Sequence, residues 1–368
     1  MPLLLQGERG GGSAPEFSPT SEAQLNAWDE GRLAAPEEVG AGVWAIASPI
    51  PEGSLPATLT YLLVSPDGSL HLIDPGWGGA AALEALAHSV GSVGFSLDRV
   101  RTVIATHFHP DHLGLCAEVR ERFSARLVMS TTERTVLLQE SASTPARTRE
   151  LDDQLGRWGV PADARRDILS SFDRARHTVD AVPDVLLDDG ASLDLEGHTL
   201  EVIATPGHTQ GHVCFADRDR KLLYTGDHVL PRIFSGIGLG FLPDTDPIED
   251  FLHSLERLSP YAEYEVLPGH EFRFRGLEGR RHEIVNHHLR RTRAVAALTE
   301  SLGETSSVWE YARRLPWTGG WSALAGFRLH SALRQTELHR GFVASGSAAA
   351  WLSRYVEPVE ESRQGTRP

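Results

Sequence analysis

Residues 106–112, "THFHPDH", follow the apolar run "VRTVIA" and place three histidines and one aspartate within seven positions. The side chains of His107, His109, Asp111 and His112 cannot all face one way from a regular helix or strand, so the backbone must form a shaped turn. A turn that gathers imidazole and carboxylate groups supplies ligands that metal ions take in proteins. This segment therefore predicts a metal site at the end of a strand.

The composition is that of an ordinary globular protein. Of the 368 residues, 40% are hydrophobic and 23% are charged, and no window approaches the roughly 18 consecutive apolar residues of a membrane span. The 35 basic and 50 acidic residues give a net charge of −15, which disfavours nucleic acid as a partner. Cys116 and Cys214 lack the spacing of a disulfide framework or a thiolate zinc site. With no export signal at the N-terminus, we expect a cytoplasmic protein that acts on a small molecule.

Strand and helix patterns alternate through the first part of the chain. The text "LLVSPDGSLHLID" predicts two strands joined by a Pro-Asp-Gly turn, and helices alternate with the strands "RVRTVIA" and "RLVMS" after it. The later segment "HVCFADRDRKLLYTGD" repeats the hairpin pattern. Asp227 follows the second strand of this hairpin, as Asp74 follows the second strand of the earlier one. We expect an α/β arrangement whose two halves are a structural duplication.

Two stretches carry helical spacing without strand text. Residues 131–185 interrupt the strands and are interpreted as a helical insertion that forms a mobile lid, with a rigid decoration or a homodimer contact as the alternative. Residues 279–368 are interpreted as a mostly helical C-terminal module. With a flexible polar lead over residues 1–25, this leaves residues 26–278 as the main domain.

Four short strings place histidine or aspartate directly after a predicted strand: "THFHPDH", "TPGHTQGH", "YTGDH" and "LPGH". One such histidine would more often be a structural residue, but four coordinated strand ends indicate a shared metal centre. The candidate ligands in these strings are His107, His109, Asp111, His112, His208, Asp227 and His270.

The pattern H-x-H-x-D-H at residues 107–112, continued by the other three strings, resembles the metallo-β-lactamase superfamily over roughly residues 40–275. The resemblance implies a four-layer αββα sandwich with metals at the sheet edge. It also implies one metal on His107, His109 and His208 and a second on Asp111, His112 and His270. Asp227 would bridge the two metals, and Asp111 and Asp227 would be the catalytic carboxylates. Two Zn²⁺ ions per chain suit these donors, and Fe or Mn would also fit.

The resemblance implies a hydrolase in which metal-activated water attacks an ester, thioester or lactone carbonyl. The C-terminal module is similar to the helical, winged-helix-like module of relatives of the hydroxyacylglutathione-hydrolase type. Two alternatives stay open: a persulfide-dioxygenase-like mononuclear iron enzyme, and an RNA or phosphodiester hydrolase that uses the basic residues of the module. Those residues are Arg280, Arg281, Arg290, Arg291 and Arg293.

Residues beside the candidate ligands have two interpretations each. Asp74 suits a hydrogen bond to a metal-bound histidine, or simply stabilises its turn. His212 and His228 are expected to support the site without binding metal. Trp77 and residues 230–241, "LPRIFSGIGLGF", form either an apolar wall of the substrate pocket or ordinary core.

Overall fold

The computed structural model describes residues 18–51, 55–140, 144–174, 181–240, 242, 245–303 and 305–355. Within these residues the strands are β1 (Ser18–Pro19), β2 (Glu37–Gly40), β3 (Val43–Pro49), β4 (Ala57–Val64), β5 (Leu70–Ile73), β6 (Val100–Ile104), β7 (Arg126–Ser130), β8 (Val185–Leu187), β9 (Ser192–Asp194), β10 (Thr199–Ala204), β11 (Val213–Asp217), β12 (Leu222–Gly226), β13 (Glu265–Pro268) and β14 (Phe274–Arg275).

The α-helices of the described residues are α1 (Glu22–Asp29), α2 (Ala80–Ser92), α3 (Pro110–Leu113), α4 (Cys116–Phe123), α5 (Thr131–Glu140), α6 (Thr144–Arg157), α7 (Ala162–Arg174), α8 (Pro247–Arg257), α9 (Leu277–Leu302), α10 (Val308–Ala312), α11 (Gly326–Ala344) and α12 (Ala348–Arg354). None of these helices is both long and apolar enough to cross a lipid bilayer.

The strands form two seven-stranded sheets, in the orders β2-β3-β4-β5-β6-β7-β8 and β1-β14-β13-β12-β11-β10-β9. In the first sheet β4 pairs antiparallel with β5, and β5 pairs parallel with β6. The second sheet repeats this pattern in β11, β12 and β13. The matching connectivity agrees with the duplication that the two hairpin texts predict.

The sheets pack face to face with helices on both outer faces. The core between them joins residues of β4, such as Tyr61, to residues of β12, such as Tyr224, whose rings lie 5.3 Å apart. A second core packs helices α2 and α4 against the first sheet, and a third packs helices α8, α9, α11 and α12 against the second sheet. These layers confirm the predicted αββα sandwich.

The regions 131–185 and 279–368 are helical in their described parts, as their spacing predicts, and the C-terminal helix already begins at Leu277. The two regions pack on each other. Trp158, only 2% exposed, joins residues of α7, α10 and α11 in one apolar core, and its indole Nε1 donates to Glu337 Oε1 at 2.6 Å. A lid movement of this insertion stays a prediction.

The structure corrects the N-terminal boundary at residue 25. Residues 1–17 lie outside the described residues, but β1 pairs with β14 and α1 begins at Glu22. The hydroxyl of Ser21 accepts from Gln24 N and caps the helix, while the amide oxygen of Gln24 accepts from Arg273 N. The short strands β8 and β9 were also missed, because three residues carry too little periodicity to be recognised.

Candidate metal centre

The candidate ligands lie where strands end. His107 follows β6, His208 lies in the loop after β10, Asp227 follows β12 and His270 follows β13. Strands β12 and β13 run parallel, and β10 shares their direction because β10 and β12 are both antiparallel to β11. The carboxyl ends of these three strands therefore meet at one edge of the second sheet, next to the end of β6.

The segment 106–112 is a shaped turn that leads into the short helix α3. His109 has extended backbone and precedes the helix, and Pro110 occupies the first helical position. Proline suits that position because its backbone needs no hydrogen-bond donor there. Asp111 and His112 lie in the same turn of the helix, so the change from extended to helical backbone makes the four side chains converge.

The structure brings all seven candidate ligands together. Ligand atoms of the described residues lie within 4.8 Å of one another in three groups. His107, His109 and His208 are here called the first metal position, and Asp111, His112 and His270 are called the second. The third group, His107, His112 and Asp227, joins the two positions.

The carboxylate of Asp227 lies between the two positions. Its Oδ2 lies 3.6 Å from Nε2 of His208, on the side of the first position. Its Oδ1 lies 3.3 Å from Nε2 of His112 and 3.3 Å from Nε2 of His270, on the side of the second position. One carboxylate thus presents a separate oxygen to each group, as a bridging ligand would.

Backbone carbonyls fix the ring nitrogens of His109 and His208. Nε2 of His109 donates to the Leu239 carbonyl at 3.1 Å, and Nδ1 of His208 donates to the Gly236 carbonyl at 2.7 Å. A carbonyl oxygen can only accept, so the proton of each neutral ring is on the nitrogen that faces away from the site. The inward nitrogen of each ring is left with a free lone pair.

The hydroxyl of Thr106 fixes the tautomer of His107 in the same way. Thr106 Oγ1 donates to Oδ2 of Asp74 at 2.8 Å, so its lone pairs remain to accept from His107 Nδ1 at 3.0 Å. The inward Nε2 of His107 is therefore also a free acceptor.

The three inward nitrogens of the first position face each other closely. His107 Nε2 lies 3.0 Å from His109 Nδ1, which lies 3.1 Å from His208 Nε2. Three lone pairs at such separations repel one another unless a cation lies between them. Buried imidazole nitrogens in this arrangement fit a transition-metal ion.

The buried donor atoms of the second position also suit a metal ion. Nε2 of His112, Nε2 of His270 and Oδ1 of Asp227 are buried and have no hydrogen-bond partner among the described residues. Buried polar atoms normally have partners, so three such atoms without any at one point fit the donor set of a cation. The outward nitrogens are bound, because His270 Nδ1 donates to the Ala57 carbonyl and His112 Nδ1 to Asp74 Oδ2, both at 2.8 Å.

The electrostatics of the two positions differ. Burial, reinforced by the neighbouring His109 ring, lowers the pKa of His208 to about 4. Burial would also lower the pKa of His270, but the carboxylates of Asp227 and Asp111 raise that pKa to about 10. The carboxylates of the second position therefore favour positive charge beside them, which a divalent cation bound there would supply.

Of the three residues expected to support the site, Asp74 and His212 form hydrogen bonds with candidate ligands. Asp74 is buried, and its two oxygens accept from Thr106 N, Thr106 Oγ1 and His112 Nδ1, each at 2.8 Å. His212 accepts from Asp227 N at 3.2 Å through its Nε2. His228 is buried against Phe251, with ring centroids 4.5 Å apart, and neither ring nitrogen has a partner among the described residues.

Of the two interpretations of residues 230–241, the described residues favour ordinary core, and Phe241 lies outside the described residues. Ile237 is buried in the core beneath α8, α9 and α11. The ring of Phe234 stacks on His287 at 3.7 Å, so it faces the C-terminal helices. What this loop gives the site is its backbone, through the carbonyls of Gly236 and Leu239.

Two of the five arginines of the expected basic cluster are buried. Arg280 donates to the carbonyls of Leu230 and Ile233, both at 2.7 Å. Arg281 is 7% exposed and donates to the Leu255 carbonyl. These two guanidinium groups form hydrogen bonds in the protein interior and cannot contribute to a nucleic-acid surface.

Sequence reasoning missed Glu133 in α5. Its side chain is fully buried, and Oε1 accepts from Phe108 N and Thr209 Oγ1 at 2.8 Å each. Burial raises the pKa of Glu133 to about 7, even though these two hydrogen bonds favour the carboxylate. A signal was available, because Glu133 shares a helix face with the buried residues Val136 and Leu137.

Comparison with known proteins agrees with this geometry. A family model described as the metallo-beta-lactamase superfamily matches residues 55–270. A metallo-beta-lactamase family protein from Thermus thermophilus superposes with a TM-score of 0.68 at 27% identity, covering 84% of this chain and 95% of that one.

Two curated relatives match part of the chain. Hydroxyacylglutathione hydrolase GloC of Haemophilus influenzae is 27% identical over 177 residues, which are 48% of this chain and 66% of the relative. Acyl-coenzyme A thioesterase MBLAC2 of Homo sapiens is 28% identical over 172 residues, which are 45% of this chain and 54% of the relative. The chain thus spans less than two thirds of either relative.

Proposed function

The chain belongs to the metallo-beta-lactamase superfamily, and we propose that it is a dinuclear metal-dependent hydrolase that cleaves a small-molecule thioester. The observation that carries this proposal is the pair of ligand groups joined by Asp227, with inward atoms that lack other partners. The thioester is favoured over an ester or lactone because the substrate classes named for the two curated relatives both attach an acyl group to a thiol.

The metal ligands follow from the geometry. His107, His109 and His208 would hold one cation, Asp111, His112 and His270 the other, and Asp227 would contact both. Zn²⁺ suits nitrogen and carboxylate donors, and Fe or Mn take the same set. Two cations bound there would supply Lewis-acid activation of a water molecule and of the substrate carbonyl.

The chain's own groups then orient the reactants and move the proton. The side chain of Asp111 is 18% exposed, more than the buried imidazoles of the second position, so its carboxylate can reach an incoming water molecule. The water oxygen adds to the carbonyl carbon, the C–S bond breaks, and Asp111 passes the water proton to the departing sulfur. The products are a carboxylic acid and a thiol, and thiolate is a good leaving group because the pKa of a thiol is about 8.5.

Elemental analysis tests the metal part of the proposal. Protein purified without chelator should contain about two transition-metal ions per chain. Chelation should abolish turnover, and added Zn²⁺ should restore it. Protein that is fully active with no metal would refute the proposal.

A substrate panel tests the reaction. We expect turnover of hydroxyacyl-glutathione or acyl-CoA thioesters, measured by thiol release, above that of lactones, β-lactams and single-stranded RNA. Asp111→Ala and Asp227→Ala should lower kcat by at least about 100-fold with the fold retained. Asp163→Asn is the matched control, because that side chain is 92% exposed on α7. Preferential cleavage of RNA, or wild-type rates in either alanine variant, would contradict the assignment.

A further inference from the structure

We infer that Glu133 is a positioning residue of the first metal position. Its hydrogen bonds join the two loops that carry His107, His109 and His208. The inference rests on the proposed metal site. It concerns a side chain that binds no metal itself and lies in the first turn of the helical insertion.

The contacts of one oxygen atom carry the inference. Glu133 Oε1 accepts from Phe108 N at 2.8 Å, and Phe108 stands between the ligands His107 and His109. The same oxygen accepts from Thr209 Oγ1 at 2.8 Å, and Thr209 directly follows the ligand His208. One carboxylate oxygen is therefore bonded to a neighbour of every ligand of the first position.

The residues around Glu133 hold it in place. Ser130 Oγ accepts from Glu133 N at 3.0 Å and donates to the Gly211 carbonyl at 2.6 Å. With the bond from Thr209 to Glu133, the start of α5 is attached to the His208 loop twice. Gly211 lies so close that an added Cβ would come within 2.0 Å of Glu133 N and 2.5 Å of Glu133 Oε2. The absence of a side chain at Gly211 permits this close approach.

The physical consequence is a fixed distance between two chain segments that are far apart in sequence. The three ligand nitrogens come from residues 107, 109 and 208, and without a shared acceptor the two loops could separate. A bond to a charged acceptor contributes more than a neutral one, and a buried donor left without its acceptor is costly. Removal of the carboxylate should therefore widen the first position while the second position, on Asp111, His112 and His270, keeps its own supports.

The test compares Glu133→Leu, which removes the acceptor, with Glu133→Gln, which keeps an oxygen at the same point. Gln139→Leu is the matched control, because Gln139 is exposed on the same helix. Metal content is measured after dialysis against a graded chelator, and Co²⁺-loaded protein is examined by absorption spectroscopy. Circular dichroism of the metal-free proteins reports on the fold.

We expect wild-type protein and Gln139→Leu to retain about two metals per chain. Glu133→Leu should bind one of the two about 10- to 100-fold more weakly, with a changed Co²⁺ spectrum, and Glu133→Gln should recover most of the loss. Equal affinity of Glu133→Leu and wild type for both metals would overturn the inference alone. Wild-type protein that binds no metal would overturn the proposed function and this inference with it.

If Glu133→Leu does not fold, Thr209→Val removes one of the two hydrogen bonds and leaves Glu133 in place. A smaller weakening of the same metal, about threefold to tenfold, is then expected from the loss of one bond to a charged acceptor. Wild-type metal affinity in both Thr209→Val and Glu133→Gln would refute the positioning role.

Discussion

Replacement of Asp74 by asparagine should weaken both the stability of the metal-free protein and the binding of metal at the second position. Asp74 has a φ of +51°, a conformation that asparagine also tolerates, so Asp74→Asn introduces no backbone strain. The change keeps the size of the side chain but converts one of its two accepting atoms into a donor.

The amide can satisfy only part of the network. Asp74 Oδ1 accepts from Thr106 N, and Oδ2 accepts from Thr106 Oγ1 and from His112 Nδ1. If the amide nitrogen faces Thr106 N, a buried N–H loses its acceptor. If it faces His112, the imidazole proton must move to Nε2, which is the atom that faces the second position.

Either orientation loses one hydrogen bond to a buried charge, worth about 1.5–3 kcal/mol. We expect the free energy of unfolding of the metal-free protein to fall by about 2 kcal/mol, measured by urea denaturation. The affinity of the second position for metal should fall about 10- to 100-fold, measured by chelator competition. Asp163→Asn, with its exposed side chain, should change neither quantity.

Two results would refute this reasoning. An Asp74→Asn variant that holds both metals as tightly as wild type would show that the His112 ring needs no carboxylate to orient it. A variant that loses metal from the first position while the second stays intact would show that Asp74 acts through Thr106 and His107 instead.

Two further predictions concern the helices around the site. Gln335 Nε2 donates to the Ile237 carbonyl at 2.7 Å, so Gln335→Leu should loosen the loop that bonds His109 and His208 and weaken metal retention up to about 10-fold; an unchanged chelator-competition curve would contradict this. Burial, with the charge of Arg334, lowers the pKa of His330 to about 4, and its ring lies against Trp158 and Phe172. Because this pKa lies below the unfolded value of about 6.5, the neutral His330 ring contributes fully to the free energy of unfolding above pH 6.5. That contribution is lost toward pH 4, by up to about 3 kcal/mol. Amide protection factors in residues 144–174, corrected for the intrinsic exchange rate at each pH, should therefore fall on acidification, and less so in His330→Phe; equal falls in both proteins would contradict this role of His330.

The cluster of candidate ligands could be predicted from the sequence because each member is marked locally. His107, His208, Asp227 and His270 all lie within a few residues after a strand, and the H-x-H-x-D-H spacing places four of the seven candidate ligands in one turn. Strand periodicity and turn residues report on neighbours in the chain, which is enough to place such residues at a sheet edge.

The supports of the ligands could not be predicted in the same way. Glu133 is 25 positions from Phe108 and 76 from Thr209, and nothing local marks those contacts. Arg280 was a candidate for a nucleic-acid surface, yet it donates to the loop carbonyls of Leu230 and Ile233 in the interior. Tertiary packing decides such cases, and composition cannot report it.

The carbonyl groups that orient His109, His208 and His270 have a consequence for how this site can change. They belong to Leu239, Gly236 and Ala57, and every amino acid carries the same acceptor. Side chains at Leu239 and Ala57 can therefore be varied in a mutant library, within the space available, while the imidazole protons keep their acceptors. Gly238 and Gly240, with φ of +72° and +143°, are the positions such a library must keep. These side chains can thus be changed one residue at a time without altering the candidate donor set of the two metal positions.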